Sequence, residues 1–158
     1  MSNRFAFAAV LLFAGMVSLF YACGGETAGD GKYSKGELDE QQTLWDGVMS
    51  IHDPMMQRMG DINRMTNELQ GVLDSEAPVP DSTRQQISAA IENLDAADEG
   101  MMNWMNQLKR LDDLRAGTKH QNIIRYLRDQ QTAVKKVQND MLSSIETAQK
   151  LLDNFAGQ

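Results

Sequence analysis

Apolar residues recur along most of this chain with a helical period. Leu44, Val48, Ile51, Met55, Ile62, Met65, Leu69 and Leu73 follow one another at steps of three, four and seven. Trp45, Met49, His52, Met56 and Met59 form a second stripe beside the first. Together they predict a helix from about Leu38 to Asp74. Pro54 interrupts this run. It could begin a new helix with Asp53 as its N-cap, but both stripes keep phase across it. One helix kinked at Pro54, with the Ser50 carbonyl deprived of its partner, is the better reading. "SEAPVPD" at 75–81 then predicts a turn.

A second stripe of Ile87, Ala90, Ile91, Leu94, Met101, Met105 and Leu108 predicts a helix to about Arg115, opened by a Ser82/Gln85 capping box and closed at Gly117. Thr118 and Gln121 repeat the capping-box pattern. Ile123, Leu127, Val134, Val137, Met141, Ile145, Ala148 and Leu152 carry the last helix to about Phe155, with Gln130 the polar residue on that face. No segment alternates with a period of two, so no strand is expected. Three helices of similar length with short connections predict an all-α fold. Its form would be an elongated antiparallel three-helix bundle, running up-down-up over about 50 Å.

The first residues follow a different rule. Arg4 is followed by an apolar run from Phe5 to Phe20, and "YAC" ends in Cys23, the single cysteine of the 158 residues. A positive start, a short apolar stretch and a small residue before the cleavage point form a secretory signal over 1–22. One cysteine cannot form an internal disulfide. Placed after Ala22, Cys23 resembles the lipobox cysteine of bacterial lipoproteins, which implies lipid attachment at Cys23, although Phe20 stands where leucine is usual. An uncleaved membrane helix and an incidental signal-peptide cysteine are the other readings, and position and uniqueness favour lipidation. Residues 24–37, "GGETAGDGKYSKGE", are Gly-rich and aperiodic. They predict a flexible tether of 23–37, reaching roughly 20 Å on average, ahead of a helical domain at 38–158.

Charge narrows the partners. The chain carries 15 basic and 22 acidic residues, a net charge of −7, and loss of the leader removes only Arg4. Without a basic stripe, neither nucleic acid nor an anionic membrane is drawn by charge. The acyl chains would do the anchoring. The expected location is the cell envelope, facing the periplasm or the cell surface.

One stretch carries candidate chemistry. "VMSIHDPMMQRMGDI" at 48–62 places four methionines around His52 and Asp53. Folding the second helix back on the first brings Met55 level with Met101, His52 with Trp104, and Met49 with Gln107. Met49, Met55, Met56, Met59, Met101, Met102 and Met105 then share one layer with His52. Three readings compete. The layer could be irregular core, for which methionine is an adaptable filler. It could bind Cu(I), since thioethers and imidazole suit a soft cation; His52, Met49, Met56 and Met59 are then the candidate ligands. Or it could be an open groove for an apolar partner helix. Core packing is the commoner fate of such a stripe, so no cofactor is expected, with Cu(I) as the alternative. His120, in the first turn of the last helix, is expected to be exposed and too far along the bundle to share a metal with His52. No nucleophile–base pattern, phosphate loop or zinc spacing occurs, which argues against an enzyme.

"MSIHDPMMQRMGDI", followed some forty residues later by "MMNWM", resembles small Bacteroidota lipoproteins often labelled "viral A-type inclusion protein". The resemblance covers Trp45 to about Met105 and the leader. Pro54 and Gln57 depart from its pattern, where an acidic residue and a proline stand. It implies a membrane-anchored helical protein without a defined activity. The function expected is therefore a non-enzymatic interaction or structural module in the envelope, with self-association or a protein partner through its helix faces.

Overall fold

The structure is a computed structural model that describes residues 32–76 and 78–156. The leader, Cys23 and most of the tether lie outside them. Among the described residues there are helices and no strands. The elements are α1 (Lys35–Asp74), α2 (Asp81–Gln107), a two-turn α3 (Leu111–Gly117) and α4 (His120–Ala156). The long helices α1, α2 and α4 each pack against the other two and form a helical bundle. No helix among the described residues is long and apolar enough to cross a membrane.

α1 begins three residues earlier than the apolar pattern predicts. Ser34 is its N-cap, and its hydroxyl accepts a hydrogen bond from the Glu37 backbone N–H while the Glu37 carboxylate takes the Ser34 backbone N–H. This reciprocal pair satisfies two otherwise orphaned donors. The Ser34 backbone N–H, followed by the Ser34 side chain, holds the exposed Glu37 carboxyl below its ordinary pKa. The stripes miss this start because capping is polar and leaves no apolar mark.

α1 then runs through Pro54 unbroken, as the phase of its stripes predicts. Pro54 is exposed and supplies no N–H for the Ser50 carbonyl. Replacing it should therefore help rather than harm. Pro54→Ala is expected to raise the urea midpoint by an amount equivalent to at most about 3 kcal/mol, the penalty of an interior proline. A lower midpoint would mean that the packing of α1 needs the proline's local geometry.

The two other capping boxes are not used. α2 opens at Asp81 with Pro80 as N-cap and no side-chain cap, so Ser82 already lies within the first turn. Asp81 still places a negative charge at the positive end of the helix. Thr118 is the C-cap of α3 and stands two residues before α4, whose first turn bonds instead to the Lys119 carbonyl.

The second helix also does not continue to Arg115. It stops at Gln107, and residues 108–110 connect it to α3. No glycine or proline marks this break. In an unbroken helix Leu114 would sit about 140° around the axis from Met101, off the buried stripe. The break turns both Leu111 and Leu114 inward, where they pack with Tyr33, Ile123 and Leu127. The Tyr126 hydroxyl accepts the Lys109 N–H at 2.7 Å, so the broken backbone keeps a partner.

The core therefore has two parts. The larger joins Val48, Met55, Ile62 and Leu69 of α1 to Ile87, Leu94 and Met101 of α2 and Val134, Met141 and Ala148 of α4. The smaller, under α3, closes the end at which the chain enters α1. Each fully buried large aliphatic side chain contributes about 1.5–3 kcal/mol.

Candidate functional site

His52 is set by α1 between Met49, three residues before it, and Met56, four residues after it, which places all three on one helix face. α2 supplies the opposite wall. Trp104 is buried, its ring centroid 5.5 Å from that of His52 at an interplanar angle of 39°. Met105 brings its Sδ to 3.1 Å from His52 Nε2. On the other side of the ring, Nδ1 lies 2.8 Å from Asp53 Oδ1. The His52 side chain is 14% exposed and that of Asp53 67%. The imidazole is thus held at both nitrogens, by a solvated carboxylate and by a buried-facing thioether.

The methionine layer assembles at the expected level, but its members differ. Met55 and Met101 are buried core residues. Met56, Met59 and Met105 are half-buried and pack on that core. Met49 is also half-buried, whereas Met102 is exposed at 43%. A layer filled in this way suits core packing or a bound ion better than an open groove. Of the candidate ligands, Met49 and Met56 stand one turn on either side of His52. Met59 is about 10 Å further along the helix axis, two turns away. Met105, which the levelling placed in the layer but not among the candidate ligands, is the methionine whose sulfur meets the imidazole. Helical spacing within α1 could not select it, because it comes from the neighbouring helix.

Trp104 Nε1 is buried, with no acceptor among the described residues. Such an orphaned donor costs about 1–3 kcal/mol.

A second polar cluster was not foreseen. Gln41 is 0% exposed although it is polar. Its Oε1 accepts from Arg115 Nε at 2.9 Å, and its Nε2 donates to His120 Nδ1 at 3.2 Å. His120 Nε2 then faces Glu40 Oε2 at 3.3 Å. Arg115 also donates to the Leu38 carbonyl at 3.1 Å. The sequence places His120 in an exposed first turn; its side chain is only 10% exposed, held between Gln41 and Glu40 of α1. Beside this cluster the Tyr33 hydroxyl donates towards the carbonyls of Arg115, at 3.0 Å, and Thr118. Lys32 Nζ bonds the carbonyls of Arg115 and Ala116. The one available signal was Gln41 itself, a polar residue one turn ahead of Leu44 on the core stripe.

An open groove of about 770 Å³ lies near the α1–α2 turn, lined in part by Val72, Val79, Pro80, Leu151 and Phe155. Glu68, Ser75 and Thr83 add polar groups to the same lining. Among the described residues no group of three or more His, Cys, Asp or Glu side chains is arranged to hold a metal ion. The His52–Met105 pair is of another kind, since one member is a thioether. The chain matches no protein-family model, no curated protein and no solved structure.

Proposed function

We propose that this protein is a bacterial lipoprotein, held in the cell envelope by an acylated Cys23, whose helical domain acts as a non-enzymatic interaction or structural module. The likeness of its leader and of residues 45–105 to Bacteroidota lipoproteins supports this reading. The observation that carries it is the way the chain enters the domain. Lys32 and Tyr33 are fastened to the last turn of α3 and to Thr118 just after it, and Ser34 caps α1 directly after them. With Lys32 and Tyr33 fixed in this way, a membrane anchor at Cys23 would hold the domain by one defined end.

The domain would be an elongated antiparallel three-helix bundle running up, down and up. Pairing of residues supports this course. His52 meets Met105 and Leu73 meets Arg84, so numbers rise along α1 as they fall along α2. Gln41 meets His120, and a Cβ on Gly47 would come within 3.0 Å of Gln131 Nε2, so numbers rise together along α1 and α4. In such a bundle the groove near Val79 and Phe155 lies at the end away from the anchor, where it would face whatever approaches from the aqueous side.

Cells fed a fatty-acid probe should yield a labelled wild-type protein in the membrane fraction. Cys23→Ser should lose the label and leave the membrane fraction or retain its leader. An unlabelled wild-type chain would remove the lipoprotein reading.

A further inference from the structure

The two contacts of the His52 ring do not balance as a neutral side chain. Asp53 offers only acceptor oxygens, so the proton of a neutral imidazole belongs on Nδ1, and Nε2 is left with a lone pair. That lone pair faces the Met105 sulfur, itself an acceptor, at 3.1 Å. Two acceptors facing one another in a half-buried site are reconciled by a cation shared between them, a proton or a metal ion. A histidine that donates one ring N–H to a carboxylate while presenting the other nitrogen to a ligand is also the usual arrangement of a metal-bound imidazole.

We propose that His52 Nε2 and Met105 Sδ are two ligands of a soft monovalent cation, Cu(I), with a thioether of Met49 or Met56 as the third. Thioether and imidazole donors without a bound carboxylate select a soft ion over zinc, calcium or magnesium. Met49 and Met56 flank His52 on the same face of α1, so either can swing its unbranched side chain towards the ring. Asp53 fixes the tautomer and orients the ring. Trp104 packs beside the imidazole and shields that side of the pair. The two principal ligands come from different helices, so the ion would also tie α1 to α2. This inference goes beyond the module proposed above and does not depend on the lipid anchor.

The test is a titration of the full chain in detergent with Cu(I) under anaerobic reducing conditions, against a competing chromophoric chelator. Cys23→Ser is kept throughout, so that a free thiol does not take the metal. Ag(I) serves as a redox-inert second probe. One equivalent should bind, with quenching of indole fluorescence that Trp104→Phe abolishes. Met105→Leu and His52→Ala should each weaken binding at least tenfold, as should Met49→Leu combined with Met56→Leu. Asp53→Asn should weaken it by about tenfold. Met65→Leu and Met141→Leu, buried methionines elsewhere in the core, should leave it unchanged. Urea melts of each variant separate a lost ligand from a lost fold, and leucine keeps the volume of methionine. Absence of one-to-one binding by the folded wild type would overturn the proposal. Binding that persists in Met105→Leu, or falls equally with Met65→Leu, would overturn it as well.

Discussion

Met101→Ala should lower the stability of the helical domain by about 2–5 kcal/mol, read as a fall in the urea midpoint. Met101 is fully buried where α1, α2 and α4 meet, in one core cluster with Met55, Leu94 and Val134. Truncation removes the transfer energy of its side chain and leaves a cavity that long, mutually braced helices cannot readily close. The neighbouring Met102→Ala should stay within about 0.5 kcal/mol, because Met102 is 43% exposed. The comparison isolates burial, since both residues share a helix and a chemistry. Equal effects at the two positions would show that α2 is rotated about its axis from the face described above, and would undo the placement of Trp104 and Met105 as well.

The second large effect is expected at the polar end of the bundle. Arg115→Ala takes away the donor to Gln41 Oε1, an atom of a fully buried residue, as well as the bond to the Leu38 carbonyl. An orphaned buried acceptor costs about 1–3 kcal/mol, and bonds from a charged donor lie at the upper end of that range. Gln41→Leu alone should also destabilise, since Arg115 then loses its buried acceptor and His120 its donor. Combining Gln41→Leu with Arg115→Met should recover part of the loss, because both unsatisfied groups are then gone. Strict additivity in this cycle would mean that Gln41 and Arg115 do not interact in solution. Exposed pairs such as Lys150–Glu146 and Arg64–Glu68 are not comparable, being solvated i,i+4 contacts that contribute little.

These two sites also differ in how far the sequence reveals them. The helices themselves are legible because burial of one face imposes a repeat close to 3.6 residues, and that repeat survives in the residue types. It carries α1 through Pro54, and it levels Met55 with Met101 and His52 with Trp104 before any coordinates are known. The leader proposed for 1–22 and the proposed acylation of Cys23 rest on linear pattern alone and lie outside the described residues. Three features escape such reading. The break at 108–110 has no glycine or proline, and it turns Leu111 and Leu114 towards the N-terminal ends of α1 and α4. The relay through Arg115, Gln41, His120 and Glu40 joins residues more than seventy positions apart, and polar residues carry no period by which to find one another. The partner of His52 is Met105, on another helix, which the rotation of α2 about its own axis selects from three methionines of similar height. The sequence by itself thus determined the course of the long helices, though not all their ends, and which level of the bundle holds the methionines and the histidine, since both follow from spacing along one chain. The tertiary structure alone decided where α2 stops, which polar side chains are buried, and which sulfur faces the imidazole, because each depends on how separate helices rotate and pack against one another.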